Sequence, residues 1–323
     1  MDCQSSFLTQ PIIYPEPLNK GDRIALISPA SEVKAEYVYG AMQRIMEFGY
    51  EPELMPYALG HVSGSFAASK AERLMDIVEA LDNQDYKAIL CTRGGYGCCQ
   101  LIPNLPCSLI SKNPKWLIGF SDISALHALF YSSGVASLHA PMAKHLATQP
   151  ADDPCTLALF KMLGNGGRFD YTLPSHKYNN PGKTSGILKG GNMAVLTDLA
   201  GTPIDILDSG NDNNKEGVIL FFEDIAEPIY KVNRMLWRMI INGSLPRVKG
   251  IIFGQFTEYK SDRNFDTMEE MLFDFVSHTI TTSSIPIVYN FPVGHTDLNL
   301  PLTIGAKVEL EVTDTEVRLR SSF

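Results

Sequence analysis

The sequence has only two tryptophans, six cysteines and no long apolar run, and each scarcity closes off a class of protein. No stretch approaches the roughly 20 apolar residues needed to cross a bilayer, so a membrane-spanning helix is not expected. Residues 1–22, MDCQSSFLTQPIIYPEPLNKGD, lack a basic start and a continuous apolar segment. No secretory signal is evident there, and a cytoplasmic location is expected. Positive charge is in deficit: 27 Lys and Arg face 36 Asp and Glu, a formal net charge of −9. That balance argues against nucleic acid as a partner, because such binding rests on neutralising phosphates. A small anionic substrate needs only a local basic pocket and stays open. The cysteines show no CxxC pair and no zinc spacing, so buried free thiols are expected, with no metal and no cofactor.

What is present is the composition of a soluble globular chain, with 45% hydrophobic and 20% charged residues. Its 323 residues suit two domains. "RIALISPAS" (23–31) reads as a first buried strand, followed by a helix with Val38, Met42, Ile45 and Phe48 on one face and Gly49 as its stop. "SKAERLMDIVEAL" (69–81) opens with Ser69 and Glu72 in capping-box spacing and places Leu74, Ile77, Val78 and Leu81 on its apolar face. "AILC" (88–91) and "WLIGF" (116–120) read as further strands. Strands alternating with helices predict a parallel sheet in an α/β domain over residues 1–150. Breakers in "TQPADDP" (148–154) and the polar, Gly-rich stretch 164–186 read as a linker region over 151–185, and a second domain spans 186–323. There "GVILFFED" (217–224), "VKGIIFGQF" (248–256) and "IPIVYNFPVGH" (285–295) read as strands, and 228–241 as a helix. The alternating tail "KVELEVTDTEVRLR" (307–320) reads as a hairpin.

Chemistry is suggested first by "WLIGFSDISALHALF" (116–130), where Ser121 lies between a strand and a helix. An ordinary N-cap accounts for such a serine; so does a nucleophile elbow, although Gly119-Phe120-Ser121-Asp122-Ile123 keeps only half of the GxSxG pattern. A serine nucleophile needs a base. Of the seven histidines, His61, His145, His176 and His278 have no distinctive setting, and His127 is a core residue or a neighbour of the elbow. His139 follows a short apolar run. His295 ends a strand on a loop, where sites lie in open α/β sheets. Glu223 ends "VILFF" and is a candidate to orient the imidazole, whereas capping the next helix would equally explain Glu223, Asp224 and Glu227. "CTRGGYGCC" (91–99) puts Gly94, Gly95 and Gly97 at a strand's end, as an oxyanion donor or a tight connection. It fits no nucleotide-binding pattern, and Gly182-Lys183-Thr184 lacks the first glycine of a P-loop.

Taken in order, "KGDRIALISPAS" (20–31), "FAASKAERLMDI" (66–77), "RGGYG" (93–97), "GFSDIS" (119–124), "KGGNMAVLTDLAGTP" (189–203), "FFED" (221–224) with "YKVNRML" (230–236), and "PVGHTDLNLP" (292–301) resemble the LD-carboxypeptidase family of serine peptidases. The resemblance implies an N-terminal parallel-sheet α/β domain carrying the serine, and a smaller C-terminal β-rich α+β domain supplying the other two groups, with the site between them. It implies Ser121 as nucleophile, His295 as general base and acid, and Glu223 as its partner. Backbone N–H groups of Asp122 and of the Gly94-Gly95 pair would form the oxyanion hole. Arg93 and Arg234, inside matching motifs, are candidates to hold the substrate carboxylate. The implied substrate is a murein tetrapeptide, or its nucleotide- or sugar-linked forms, losing its terminal D-Ala during cell-wall recycling, and homodimers are expected. The chain departs from the family pattern at His139-Ala140-Pro141, where His-Gly-Pro is usual, and at Ser124, where Thr is common. A sister peptidase that cleaves a peptide-nucleotide antibiotic for self-immunity is the alternative; an aromatic able to stack a base would favour it, and neither Trp116 nor Trp237 is placed on a pocket loop by the sequence. A non-catalytic protein gripping a small anion is a further alternative.

Overall fold

The computed structural model describes residues 11–60, 64–207, 216–243, 247–280 and 285–323. Strand β1 (Arg23–Ile27) buries all but its first residue. Helix α1 (Ala35–Glu47) turns Val38, Ala41 and Ile45 inward and leads to β2 (Glu51–Leu54). Helix α2 (Lys70–Asp82) begins in the expected capping box: Ser69 Oγ accepts from Glu72 N at 3.3 Å, and Glu72 Oε2 accepts from Ser69 N at 2.9 Å. Such a cap contributes about 1 kcal/mol. The buried face of α2 is rotated from the expected one. Leu74 and Val78 are half-buried, and Arg73, Asp76, Ile77, Ala80 and Leu81 point inward. The two charges are tolerated there because each is hydrogen-bonded to backbone: Asp76 accepts from Tyr57 N at 3.2 Å, and Arg73 donates to loop carbonyls.

Next come β3 (Tyr86–Cys91), α3 (Cys98–Leu101), α4 (Cys107–Lys112), β4 (Trp116–Gly119), the wholly buried α5 (Ser124–Ser132), β5 (Ser137–His139) and α6 (Ala143–Thr148). The stretch 151–185 holds helix α7 (Pro154–Gly164), capped by Asp153, and strand β6 (Asp170–Pro174). Beyond it lie β7 (Gly182–Asn192), α8 (Met193–Asp198), β8 (Val218–Ile225), α9 (Ile229–Ile241), β9 (Val248–Thr257) and α10 (Met268–Thr279). Of the strand expected over 285–295 only β10 (Ile287–Val288) pairs as a strand. Asn290, at φ +59°, and Pro292 turn the chain away. Strands β11 (Leu302–Ile304), β12 (Lys307–Val312) and β13 (Glu316–Ser321) complete the fold, the last two as the expected hairpin.

The strands form two sheets in a mixed α/β architecture. The first has the order β11-β5-β4-β3-β1-β2; its five N-terminal strands are parallel, and β11 pairs antiparallel with β5. The second runs β10-β9-β8-β7-β12-β13-β6, parallel from β7 to β10 and antiparallel beyond β7. Each sheet belongs to its own compact unit: the chain up to Gly167 with Asp297–Ile304, and Arg168–Thr296 with Gly305–Phe323. Among the described residues, no helix is long and apolar enough to cross a membrane.

Candidate active site

In the first unit, β1 is flanked by β2 and β3, so the connections after β1 and β3 leave in opposite directions and open a crevice at the strand C-termini. The loop after β1, the glycine turn after β3 and the turn after β4 all issue from this edge. Ser121 is on the last of these. Its φ of +66° is one that non-glycine residues rarely adopt, and Phe120 before it is fully extended. An ordinary cap has no need of such strain, which costs about 1–3 kcal/mol. Ser121 makes no cap to α5, whose first turn follows a 3₁₀ turn at Ser121–Ile123. The geometry is that of a nucleophile elbow, with the hydroxyl lifted off the sheet and helix N–H groups behind it.

The glycine turn is packed against this elbow. A Cβ on Gly94 would sit 2.8 Å from Ser121 Cβ, 3.0 Å from its Oγ and 3.2 Å from Asp122 N, so only glycine allows the two segments to touch. The Asp122 carboxylate is buried and accepts from Cys98 N at 2.9 Å, tying the elbow to the end of the turn. Ser31 closes the other side: its N–H donates to Gly94 O at 3.2 Å, and its Oγ accepts from Tyr96 N at 3.2 Å. Arg93 is exposed, with Nη1 donating to Glu32 O at 2.6 Å. Cys91 and Cys98 are buried free thiols whose pKa values are raised by burial and by Asp122.

In the second unit, Glu223 and Asp224 are consecutive on β8 and so address opposite faces of the sheet. Asp224 serves α8: its carboxylate accepts from Ala194 N at 2.8 Å and from Asn192 Nδ2 at 3.0 Å, and burial beside Glu223 pushes its pKa up to about 6. Glu223 is fully buried, and its Oε2 accepts from His295 Nδ1 at 2.7 Å. The capping reading therefore fails for Glu223, and α9 begins after Pro228 without a side-chain cap. A register shift between β8 and β9 falls at Phe222–Asp224, the kind of bulge that re-aims a side chain beside a site. The chain bearing His295 is laid over that bulge, with Gln255 N donating to Val293 O at 2.9 Å. Gly294, at φ +127°, must be glycine: a Cβ there would lie 2.8 Å from Glu223 Cβ.

The imidazole of His295 is 16% exposed. Burial opposes its charge, but the hydrogen bond and the negative field of Glu223 outweigh that, and its pKa is raised. A base whose Nδ1–H is held by a buried carboxylate presents Nε2 as its acceptor. The other histidines are elsewhere. His127 is buried between Ser137 Oγ (2.8 Å) and Gly119 O (2.9 Å), and burial lowers its pKa to about 3. His139 is buried in β5, in register with Leu302. His145 pairs with Asp153 at 2.8 Å, and the two approach Cys155 with one ligand atom each within 4.8 Å, a grouping that sequence spacing does not flag. The cap of α7 and that hydrogen bond already explain Asp153. His61 lies outside the described residues. Arg234 is exposed on α9, over the ring of Tyr230.

Comparison with known proteins places both units in one family. Residues 24–140 match the LD-carboxypeptidase N-terminal domain and residues 185–310 the LD-carboxypeptidase C-terminal domain. The chain is 33% identical over 309 residues to a probable murein peptide carboxypeptidase of Bacillus subtilis, covering 93% of this chain and 92% of the relative. It is 31% identical over 302 residues to the murein tetrapeptide carboxypeptidase of Pseudomonas aeruginosa, covering 90% and 93%. The crystal structure of a muramoyltetrapeptide carboxypeptidase from Oxalobacter formigenes superposes with a TM-score of 0.81 at 29% identity, over 93% of this chain and 99% of that one. The microcin C7 self-immunity protein MccF of Escherichia coli is more distant, at 24% identity over 348 residues and 95% of each chain. MccF in complex with glutamyl sulfamoyl guanosine shares the fold, with a TM-score of 0.82 at 22% identity over 96% of this chain and 99% of that one. With both domains matched in order, and a third of residues identical to a relative along nearly the whole chain, this protein belongs to the LD-carboxypeptidase family and is a serine-type carboxypeptidase.

Proposed function

We propose that the chain hydrolyses the L,D-peptide bond before the terminal D-Ala of murein tetrapeptides, in cell-wall recycling, through Ser121, His295 and Glu223. The buried Glu223–His295 pair carries this reading, because a carboxylate with no solvent exposure, aimed at one imidazole, is what an activated serine requires. Neutral His295 takes the proton of Ser121 Oγ through Nε2 as the oxygen attacks the carbonyl. The developing oxyanion is held by backbone N–H groups of Asp122 and of the Gly94-Gly95 pair. The imidazolium, stabilised by Glu223, gives its proton to the departing amine of D-alanine. Water then repeats the sequence on the acyl-enzyme and frees Ser121. Arg93, next to Gly94, and Arg234 are the candidates to meet the substrate's carboxylate, and pairing of the chain as a homodimer belongs to the same reading.

The second reading, hydrolysis of a peptide-nucleotide conjugate, takes its support from the likeness to MccF. Trp116 lends it nothing, because it is buried in β4 and cannot stack on a base; Trp237 is exposed on α9, edge-on to Phe275. A protein that merely grips an anion has no use for a strained serine at φ +66°. The readings separate when the purified protein is given a murein tetrapeptide and, in parallel, an aminoacyl nucleotide conjugate. Release of D-alanine supports the proposal, cleavage of the conjugate alone transfers support to the second reading, and inertness towards both defeats the two.

A further inference from the structure

We propose that Arg73 is a positioning residue of the hydrolytic reaction, which with Asp122 clamps the Gly97–Cys98 peptide and thereby holds the glycine turn against Ser121. The inference rests on the reading of Ser121 as the nucleophile. Arg73 is 2% exposed, on the inward face of α2. No carboxylate forms an ion pair with it among the described residues; its guanidinium is instead consumed by the loops around the elbow. Nε donates to Ala68 O at 3.1 Å, Nη1 to Pro29 O at 2.5 Å and to Gly97 O at 3.2 Å, and Nη2 to Gln100 Oε1 at 2.7 Å. Its plane lies over the ring of Phe66, 4.7 Å from the centroid. One cation therefore joins the loop after β1, the segment before α2 and the end of the glycine turn.

The two ends of a single peptide unit show how this reaches the site. The carbonyl of Gly97 accepts from Arg73, and the N–H of Cys98, in the same peptide plane, donates to Asp122 Oδ2 at 2.9 Å. A buried cation and a buried anion thus grip that plane from opposite sides, both with charge-assisted hydrogen bonds. Asp122 directly follows Ser121, and Gly94 touches Ser121, so rotation of the clamped plane would move the turn relative to the hydroxyl and to the N–H of Asp122. A lysine in place of Arg73 keeps the charge but not the planar fork, and cannot hold Ala68, Pro29, Gly97 and Gln100 together.

The test is Arg73→Lys, assayed for D-alanine release from a murein tetrapeptide and for amide hydrogen exchange of the peptide spanning 93–99. A displacement of about 1 Å at a catalytic group costs on the order of 100-fold. We expect kcat to fall by about that factor with KM within about threefold, and exchange at 93–99 to accelerate while helices α9 and α10 exchange as in wild type. A folded Arg73→Lys with wild-type kcat, or with unchanged exchange at 93–99, overturns the proposal. Exchange needs no turnover, so a wild-type protein that released no alanine would count against the murein reading alone, and the exchange result would still decide the clamp. If Arg73→Lys does not fold, Asp122→Ala releases the other end of the same peptide: faster exchange at 93–99 supports the clamp, and unchanged exchange overturns it.

Discussion

Replacing Glu223 by Gln keeps the size of the side chain and removes its charge. In the imidazolium stage the positive ring stands against a fully buried carboxylate bonded at 2.7 Å. Two unit charges about 4 Å apart at an effective dielectric near 20 interact by about 4 kcal/mol, which is about a thousandfold in rate. Loss of the correct imidazole tautomer raises the cost towards about 10⁴-fold, as in an isosteric change at the acid of a Ser-His-Asp triad. Glu223→Gln should therefore lower kcat by about 10³- to 10⁴-fold. The pH profile should move as well. In the wild type the raised pKa of His295 places the acid limb of kcat/KM above about 6.5, its ordinary value. Without the Glu223 charge, burial of the ring is opposed only by the weaker fields of Asp224 and Glu258, and the limb should shift to lower pH. Stability follows the same linkage. A raised folded pKa contributes stability that is present below about 6.5 and is lost as pH rises through the folded pKa. The deficit of Glu223→Gln in urea unfolding should thus be larger at pH 6 than at pH 9. A loss in kcat below tenfold, with an unmoved limb, would refute the reasoning.

Other consequences are as specific. Because Ser121 sits at φ +66°, Ser121→Gly should be more stable than Ser121→Ala by about 1 kcal/mol in urea unfolding, and both should be inactive. Gly94→Ala pushes a methyl group to 2.8 Å from Ser121 Cβ and should lower kcat by about 100-fold, measured by alanine release, with the protein still folded by circular dichroism. Asp224, held at about 6, binds its proton more tightly folded than unfolded, so its contribution to stability falls as pH rises from about 3.9 to 6. Urea unfolding across that window should show Asp224→Asn gaining on wild type as pH rises.

Local signals made much of this fold legible in the sequence. The Ser69/Glu72 box, the stop after α1 and the alternating tail specify α2, α1 and the β12–β13 hairpin through neighbours a few residues apart. Elements whose pairing is distant were harder to read. Strand β11 joins the first sheet beside β5, which no local pattern in "NLPLTIG" announces. In 151–185 the same residues that read as breakers, Asp153 and Pro154, are the cap and first residue of α7. At the site, Ser121 and a helix cap look alike in one dimension; only the backbone angle separates them. Likewise, the polarity of Glu223 reads as exposure until the chain of His295 is laid over it. Arg73 carries no signal of its own, since a charged residue on a helix ordinarily faces solvent, although its spacing with Ile77 and Leu81, one helical stripe, marks the inward side.

The central claim is that Ser121 becomes acylated. Rapid acid quench of the protein with a murein tetrapeptide, followed by proteolysis and mass spectrometry, tests it directly. The account predicts an added mass equal to the substrate less alanine on the peptide containing Ser121, and neither adduct nor alanine release in Ser121→Ala. Alanine release that persists in Ser121→Ala, without an adduct in the wild type, would contradict it.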